Sequence, residues 1–239
     1  MEGEYTAAYA HLYREHWWWR VREEILLRKI RQLLGPQTAG ARILDVGCGA
    51  GLFFDALEPF GHIEGIESDS LAVEQAGRWR TRIHVGELDD TFQPDGSFDL
   101  ILLLDVLEHV ERPDRLLGRA ASLLGPTGRL VVTVPAFNWL WTSHDELNHH
   151  VERYTAKEIR DLMQGVHLTA IETSYLFQSL LLPKLLVRAR EAVTASAPRV
   201  PHVPSRAVNI ALQAWYRSEY RLAGWLPFGS SVLAVAQRP

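Results

Sequence analysis

The chain has 239 residues, of which 47% are hydrophobic and 23% charged, and its formal net charge is −4 at pH 7. These values fit one globular domain with a substantial core, and the negative charge gives no general reason to expect nucleic-acid binding. The single cysteine, Cys48, excludes an intrachain disulfide. Because we find no secretory signal and no run of roughly 20 apolar residues, we expect a cytoplasmic protein.

Helical and strand-like segments alternate along most of the chain. Residues 5–34 predict one long helix, which Gly35 and Pro36 end. Another helix begins after Thr155, where Glu158 completes a capping box. Seven strands are predicted, at residues 42–46, 62–67, 82–87, 98–105, 128–135, 167–176 and 230–237. Together these elements favour an α/β fold with a doubly wound, seven-stranded, mostly parallel sheet.

Two segments lie outside the predicted alternation. We divide a single domain, residues 1–239, into an N-terminal helical segment (1–40), a core (41–176), a helical insertion (177–229) and the last strand (230–239).

From residue 177 onward the chain carries eight basic and two acidic residues, so this part is positively charged. Uneven charge of this kind marks either a partner or substrate surface or solvated helix faces that are rich in arginine.

The segment LDVGCGAG places several glycines at a strand-to-helix turn. Gly47, Gly49 and Gly51 allow a tight turn and a close approach of a ligand to the backbone. Their spacing is G-x-G-x-G, whereas dinucleotide enzymes show G-x-G-x-x-G. Asp45 precedes the turn and no basic side chain is nearby, which suits a ligand with a cationic end better than a pyrophosphate. Cys48, inside the turn, is interpreted as a small filler and not as a nucleophile.

Acidic residues also end the next three strands. Glu67 ends the second strand, where a carboxylate can accept hydrogen bonds from both hydroxyls of a ribose. Enzymes that bind NAD share this feature, so it does not discriminate between cofactor classes by itself, and a solvated loop acid is the alternative. Glu87 ends the third strand and Asp105 ends the fourth.

Four motifs in order resemble a known family. The segments ILDVGCGAG, GIESD, PDGSFDLILLLDVLEHV and GRLVVTVP, over residues 41–136, are similar to the successive motifs of class I S-adenosylmethionine-dependent methyltransferases. The segments EHWWWR, WLWTSHDELNHHVERYT and LPFGSSVLAVAQ further resemble a bacterial subgroup of these enzymes. That extension supports the enzyme class and a Rossmann-like methyltransferase fold, but it supplies no substrate.

The resemblance implies S-adenosylmethionine as cofactor, S-adenosylhomocysteine as product, and a role for particular residues. Asp45, Gly47 and Gly49 would surround the methionine part, and Glu67 would hold the ribose. Glu87 would flank the adenine, although the family more often has aspartate at this position. The full set implied to bind the cofactor is Asp45, Gly47, Cys48, Gly49, Gly51, Glu67, Ser68, Glu87, Leu88, Leu104 and Asp105.

Three consecutive tryptophans, Trp17, Trp18 and Trp19, cannot share one face of a helix, because successive side chains point about 100° apart. In this fold the segment before the first strand often crosses the mouth of the cofactor and substrate site. We therefore predict that residues 1–40 form a lid, with one ring packed on the helices of the sheet and one or two facing the pocket. The alternative is core and oligomer packing for all three rings.

Methyl transfer to a neutral hydroxyl or a protonated amine requires removal of a proton, and histidine suits that task. His109 follows the fourth strand, and the segment HDELNHHVERY follows the fifth. We favour His144, which a neighbouring Asp145 could orient. A polar structural loop is the alternative, and no metal site is predicted, although His144, Asp145 and His150 include ligand types that zinc accepts. The predicted catalytic set is His144, His109, Asp145, His150 and Tyr154.

The predicted function is methyl transfer from S-adenosylmethionine to an oxygen or nitrogen of a small-molecule acceptor. The apolar stretches and basic residues of the insertion also suit an amphiphilic, anionic acceptor or peripheral contact with anionic lipid. The second hypothesis is a non-catalytic S-adenosylmethionine-binding regulatory or partner protein, and a dinucleotide oxidoreductase is the third. We expect no nucleic-acid partner, and the sequence does not predict the oligomeric state.

Overall fold

A computed structural model describes residues 3–35, 40–194, 201–224 and 226–239. The strands are β1 (Ala41–Val46), β2 (Gly61–Glu67), β3 (Ile83–Val85), β4 (Phe98–Leu104), β5 (Leu124–Pro135), β6 (Thr169–Leu176) and β7 (Ser231–Gln237). The helices are α1 (Gly3–Glu15), α2 (Trp17–Leu34), α3 (Phe54–Leu57), α4 (Ser70–Glu74), α5 (Pro113–Leu123), α6 (Ser143–Leu147), α7 (Ala156–Gly165), α8 (Leu181–Val193) and α9 (Arg206–Ala223). Short 3-10 turns occupy Glu58–Phe60, Gly77–Arg82, Leu107–His109 and Asn138–Leu140.

The strands form one sheet in the order β3-β2-β1-β4-β5-β7-β6. Strands β1 to β5 pair in parallel, whereas β7 runs antiparallel to both β5 and β6. The chain order reverses between β1 and β4, and in open α/β sheets the crevice at the carboxyl ends of such strands is where ligands bind. The predicted fold class is confirmed.

Helices cover both faces of the sheet, which explains why β4 is almost entirely apolar. On one face, Leu117 of α5 and Ile159 and Met163 of α7 pack against the sheet. On the other face, Ile30 of α2 and Tyr216 of α9 belong to a second core cluster. The insertion therefore contributes to the core of the domain and does not form one of its own.

The prediction of a single helix over residues 5–34 is wrong in one respect, because the helix is interrupted at His16. His16 has an extended backbone (φ −78°, ψ 135°) and its Nδ1 accepts a hydrogen bond from the Trp18 amide at 3.2 Å. This bond caps α2 in the way that Ser or Asp usually does. Imidazole is an unusual capping group, so the helical periodicity of the sequence does not reveal this break.

The three tryptophan rings have different surroundings. Trp17 stacks on Tyr216 of α9, with ring centroids 4.6 Å apart. Trp19 is buried and lies edge-on to Tyr9 of α1 at 5.9 Å. Trp18 is half-buried beside Phe177, at 5.7 Å. Residues of the insertion thus contact two of the rings and α1 contacts the third, and the lid stays a prediction.

Part of the insertion, residues 195–200, lies outside the described residues, including much of its proline-rich stretch. Helices α8 and α9 lie on either side of that stretch. In the parts of the chain that the structure covers, no helix has both the length and the apolar character needed to cross a membrane.

Candidate functional site

The glycine loop connects β1 to α3 at the carboxyl edge of the sheet. Gly47, Gly49 and Gly51 all have positive φ, at +71°, +55° and +66°, which favours glycine at each position. A Cβ atom added to Gly47 would lie 2.7 Å from Val106 Cγ2, whereas one added to Gly49 would meet no atom within 4 Å. The loop therefore packs closely on one side and faces open space at Gly49.

Glu67 lies beside that open space. Its Oε2 accepts a hydrogen bond from the Gly49 amide at 2.8 Å, and its Oε1 accepts one from the Asp69 amide at 2.8 Å. The exposed Ser68 hydroxyl lies 3.4 Å from Oε1. These bonds fix the carboxylate at the end of β2, and Oε2, with one donor, keeps a lone pair for another.

Asp45 and Cys48 flank the first turn of the loop. Burial raises the pKa of Asp45 to about 7, although the neighbouring Arg22 guanidinium lowers it. Burial also raises the pKa of the Cys48 thiol. A Cβ atom at Gly65 would lie only 2.6 Å from Cys48 Sγ, so the thiol is packed against β2. This contact supports the interpretation of Cys48 as a filler.

The residues predicted near the adenine and at the end of β4 differ in exposure. Glu87 is exposed and Leu104 is half-buried. Leu88 is 6% exposed and packs in the core cluster that includes Phe92. The Leu88 side chain therefore belongs to the core and not to an open edge.

Asp105 contacts two residues, Arg22 and Thr133, that were not predicted from the sequence to belong to the site. Arg22 Nη2 lies 2.8 Å from Asp105 Oδ2 and donates to Thr133 Oγ1 at 2.9 Å. The Thr133 hydroxyl in turn donates to Asp105 Oδ1 at 3.0 Å. This triad ties α2 to the ends of β4 and β5. Arg22 could have been found, because it falls on the same helical stripe as Leu26 and so needs a buried partner.

Helix α1 adds two tyrosines to the same region. Burial raises the pKa of Tyr9, and the nearby carboxylates of Asp105 and Asp45 raise it further. The Tyr13 hydroxyl donates to Glu23 of α2 at 2.6 Å. The N-terminal helices therefore lie close to the carboxyl ends of β1 and β4, where the predicted site is.

A buried ion pair organises the segment after β5. Arg153 Nε and Nη2 donate to the two oxygens of Asp145 at 2.7 and 2.8 Å, and both residues are at most 2% exposed. His150 Nδ1 lies 2.8 Å from Asp145 Oδ1. Burial raises the pKa of Asp145, but hydrogen bonds from His150 and Arg153 outweigh burial and hold that pKa well below its usual range.

Asp145 orients His150 and not His144, which corrects the predicted pair. Asp145 points inward because it is the third residue of α6, where its carboxylate accepts from the Thr142 amide at 2.8 Å. His144, one residue earlier, faces another direction and contacts Asn148. Burial lowers the pKa of His144 to about 4, and the positive charge of Lys184 adds to the effect. His144 is therefore a weak base, and our first choice is not supported.

Tyr154 is also corrected. Its hydroxyl donates to the Leu107 carbonyl at 3.2 Å, and the residue is 2% exposed. Burial raises its pKa. The Tyr154 hydroxyl therefore supports the turn after β4.

Two further residues near Asp105 were missed. Burial lowers the pKa of Lys184 on α8 to about 8; Arg153 lowers it too, while Asp145 and Asp105 counteract this. Glu108 is 1% exposed, and burial raises its pKa well above the ordinary value. The ring centroids of His109 and His150 lie 4.7 Å apart. No local pattern distinguishes Lys184, because only the docking of α8 brings it to the site.

Comparison with known proteins gives a consistent result. Residues 18–173 match a family model described as a methyltransferase domain. A ubiquinone biosynthesis O-methyltransferase of Rhodopseudomonas palustris (strain BisA53) is 33% identical over 107 residues. That match covers 42% of this chain and 42% of the relative, so the chain spans less than half the length of the curated relatives it matches.

Solved structures show the same fold. A chain from the complex of the Haloferax volcanii Trm112 methyltransferase activator with a methyltransferase has a TM-score of 0.59 at 20% identity, over 98% of this chain and 94% of that one. The phosphoethanolamine N-methyltransferase 2 of Haemonchus contortus, in complex with phosphomonomethylethanolamine and S-adenosylhomocysteine, has a TM-score of 0.56 at 20% identity. This match covers 90% of this chain and 52% of the Haemonchus chain. At these identities the likeness concerns the fold.

Proposed function

The chain belongs to the class I S-adenosylmethionine-dependent methyltransferases, and from this premise we propose that it transfers the cofactor's methyl group to an oxygen or nitrogen of a small-molecule acceptor. One observation carries the proposal. The Glu67 carboxylate is held 2.8 Å from the Gly49 amide, directly beside the open face of the glycine loop. A ligand with a ribose would fit next to this carboxylate, and Asp45 and Asp105 would hold its other end.

The loop residues fit S-adenosylmethionine in their chemistry. Glu67 would accept hydrogen bonds from the two ribose hydroxyls. Asp45, whose pKa of about 7 leaves it only partly ionised at pH 7, would ionise fully when the cationic methionine end binds. Gly47 and Gly49 let the ligand approach the backbone. When bound, the cofactor supplies a methyl group already activated on a sulfonium.

The residues around Asp105 would position the acceptor. The Arg22 guanidinium and the Thr133 hydroxyl hold the Asp105 carboxylate in one position, and such positioning favours in-line transfer. Lys184 is the nearby group whose pKa, about 8, is matched to taking a proton from an acceptor near neutral pH. The similarity to O-methyltransferases of ubiquinone biosynthesis favours oxygen as the acceptor atom.

A screen for S-adenosylhomocysteine release tests this function. With phenolic, carboxylate and amine acceptors, we expect repeated turnover on one oxygen-bearing class and a methylated product in the same amount. Lys184→Met should lower kcat by about 10²- to 10⁴-fold, the usual contribution of a proton-transfer group. Lys157→Met, on an exposed and distant lysine, is the control. Cofactor binding without product from any class would favour the non-catalytic hypothesis.

Helix α8 supports a further proposal about the partner, namely contact with an anionic lipid surface. Leu182, Leu186 and Val193 are 68, 72 and 86% exposed, and their spacing places them on one helical face. Arg188 and Arg190, on the same helix, are also exposed. Apolar side chains with nearby cations suit shallow insertion, because each basic residue near an anionic bilayer contributes about 1 kcal/mol.

We expect the protein to float with phosphatidylserine-containing vesicles at low salt, and less so at physiological salt. A Leu182→Ser/Leu186→Ser variant should lose most of this binding. Leu71→Ser/Ile171→Ser removes exposed apolar side chains elsewhere and should keep it. Equal flotation of both variants would show that α8 is not the contact surface.

A further inference from the structure

A cluster of metal-ligand side chains lies next to Asp105. Glu108, His109 and His150 each offer one ligand atom, and these atoms all lie within 4.8 Å of one another. Glu108 and His109 come from the 3-10 turn after β4, and His150 comes from the loop after α6. The two segments are joined by the Val151 amide, which donates to the Glu108 carbonyl at 2.7 Å.

Glu108 lacks the partner that a buried carboxylate requires. The residue is 1% exposed, and within the described part of the chain its Oε2 has no hydrogen-bond partner. Leaving such an oxygen unpaired costs free energy that a structure seldom carries without a reason. The unpaired carboxylate belongs to the same cluster as the two imidazoles, so a cation there would satisfy it.

His150 is oriented as a metal ligand usually is. Its Nδ1 lies 2.8 Å from Asp145 Oδ1, and Asp145 is fixed in turn by the bidentate Arg153. A carboxylate on one ring nitrogen sets the tautomer and directs the other nitrogen, Nε2, to the metal. The Arg153–Asp145–His150 chain therefore provides an outer layer of support for a metal site.

We propose that Glu108, His109 and His150 bind a divalent transition metal such as Zn²⁺ or Co²⁺. Two imidazoles and one carboxylate are a donor set that these ions accept, and three protein ligands leave a position for water or substrate. Tetrahedral coordination needs ligand atoms about 3.3 Å apart. The imidazole of the exposed His109 would close the remaining distance by a change of rotamer when the metal binds.

The site departs from the sequence-based expectation of no metal. It also differs from the set His144, Asp145 and His150 that the sequence suggested, because Asp145 supports a ligand and His144 faces away. If the proposed function holds, an acceptor hydroxyl that binds the metal would lose its proton more readily. The binding of the metal itself does not depend on that function.

Cobalt(II) binding tests the site without cofactor or acceptor. The full chain is treated with EDTA, freed of chelator and titrated with Co²⁺, and the visible absorption of the bound ion is recorded. We expect saturation at about one equivalent. His109→Ala and Glu108→Gln should each weaken binding by more than about 100-fold, and Asp145→Asn by about 10- to 100-fold.

His149→Asn removes an exposed imidazole from the same loop and should bind Co²⁺ as the parent does, since asparagine tolerates the positive φ of 55° at that position. Circular dichroism of each variant confirms the fold. The proposal is overturned if the parent shows no saturable binding, or if His109→Ala and His149→Asn bind alike. S-adenosylhomocysteine binding, measured separately, reports on the proposed function.

Discussion

Arg153→Met is expected to destabilise the protein by about 3–5 kcal/mol, the largest effect on stability that we predict. Arg153 donates to both oxygens of Asp145, which is fully buried, and to the Ala136 carbonyl at 3.1 Å. Removing the guanidinium leaves a buried carboxylate with the Thr142 and His150 contacts alone. The free energy of unfolding is measured by urea denaturation at pH 7 with EDTA present, so that bound metal makes no contribution.

Arg112→Met is the matched control, because Arg112 pairs with Asp114 at 2.8 Å on the surface with side chains 58 and 47% exposed. Exposed pairs of this kind contribute about 0–1 kcal/mol. If Arg153→Met does not fold, Arg153→Lys tests the same pair, because lysine keeps the charge and loses the fork geometry. A loss below about 1 kcal/mol in either Arg153 variant would contradict the assigned role.

The effect of Arg153→Met should depend on pH in a known direction. The folded-state pKa of Asp145 lies below its unfolded value. The stabilisation by its carboxylate is therefore fully present above the unfolded pKa, about 4, and is lost as pH falls through the folded pKa. The difference in unfolding free energy between parent and variant should accordingly shrink when the pH is lowered below about 4.

The second large effect is expected from Glu67→Ala, which should weaken S-adenosylhomocysteine binding by about 1.5–3 kcal/mol, or about 10- to 150-fold. The variant removes the acceptor for the ribose hydroxyls and the bond that positions Gly49. Glu67→Gln keeps one acceptor oxygen and should lose less. Glu74→Ala, an exposed acid on the following helix, is the control and should bind as the parent does. An unchanged affinity in Glu67→Ala would contradict the proposal that Glu67 binds the ribose hydroxyls.

Much of the fold could be predicted because its signals are local. The apolar run of β4 and the capping box of α7 both depend on residues close together in the sequence. The break at His16 was missed because its cap is an imidazole, which propensity rules do not single out. The cover of Trp17 could not be predicted either, since Tyr216 lies about 200 residues away along the chain.

The residues proposed to bind the cofactor could be predicted for the same reason, since Asp45, the glycines and Glu67 lie at the ends of strands that the sequence predicts. The residues proposed to act on the acceptor could not be predicted in this way, because they come from elements that are far apart in the sequence. Asp145 was expected to orient His144 because the two residues are neighbours in the sequence. In α6, however, their side chains point in different directions, and Asp145 contacts His150. Arg22 contacts Asp105 only after α2 docks on the sheet. Lys184 comes under the electrostatic influence of Asp105 only through the placement of α8 in the folded chain.

Isothermal titration of the parent protein with S-adenosylmethionine, S-adenosylhomocysteine and NAD tests the central claim most directly. We predict that both sulfur-containing ligands bind at one site per chain and compete with each other. NAD should not displace them, because Asp45 precedes the loop and Leu52 stands where the third glycine of the dinucleotide motif would be. Binding of NAD at this site, or the failure of S-adenosylhomocysteine to bind, would contradict the assignment of the glycine loop and Glu67.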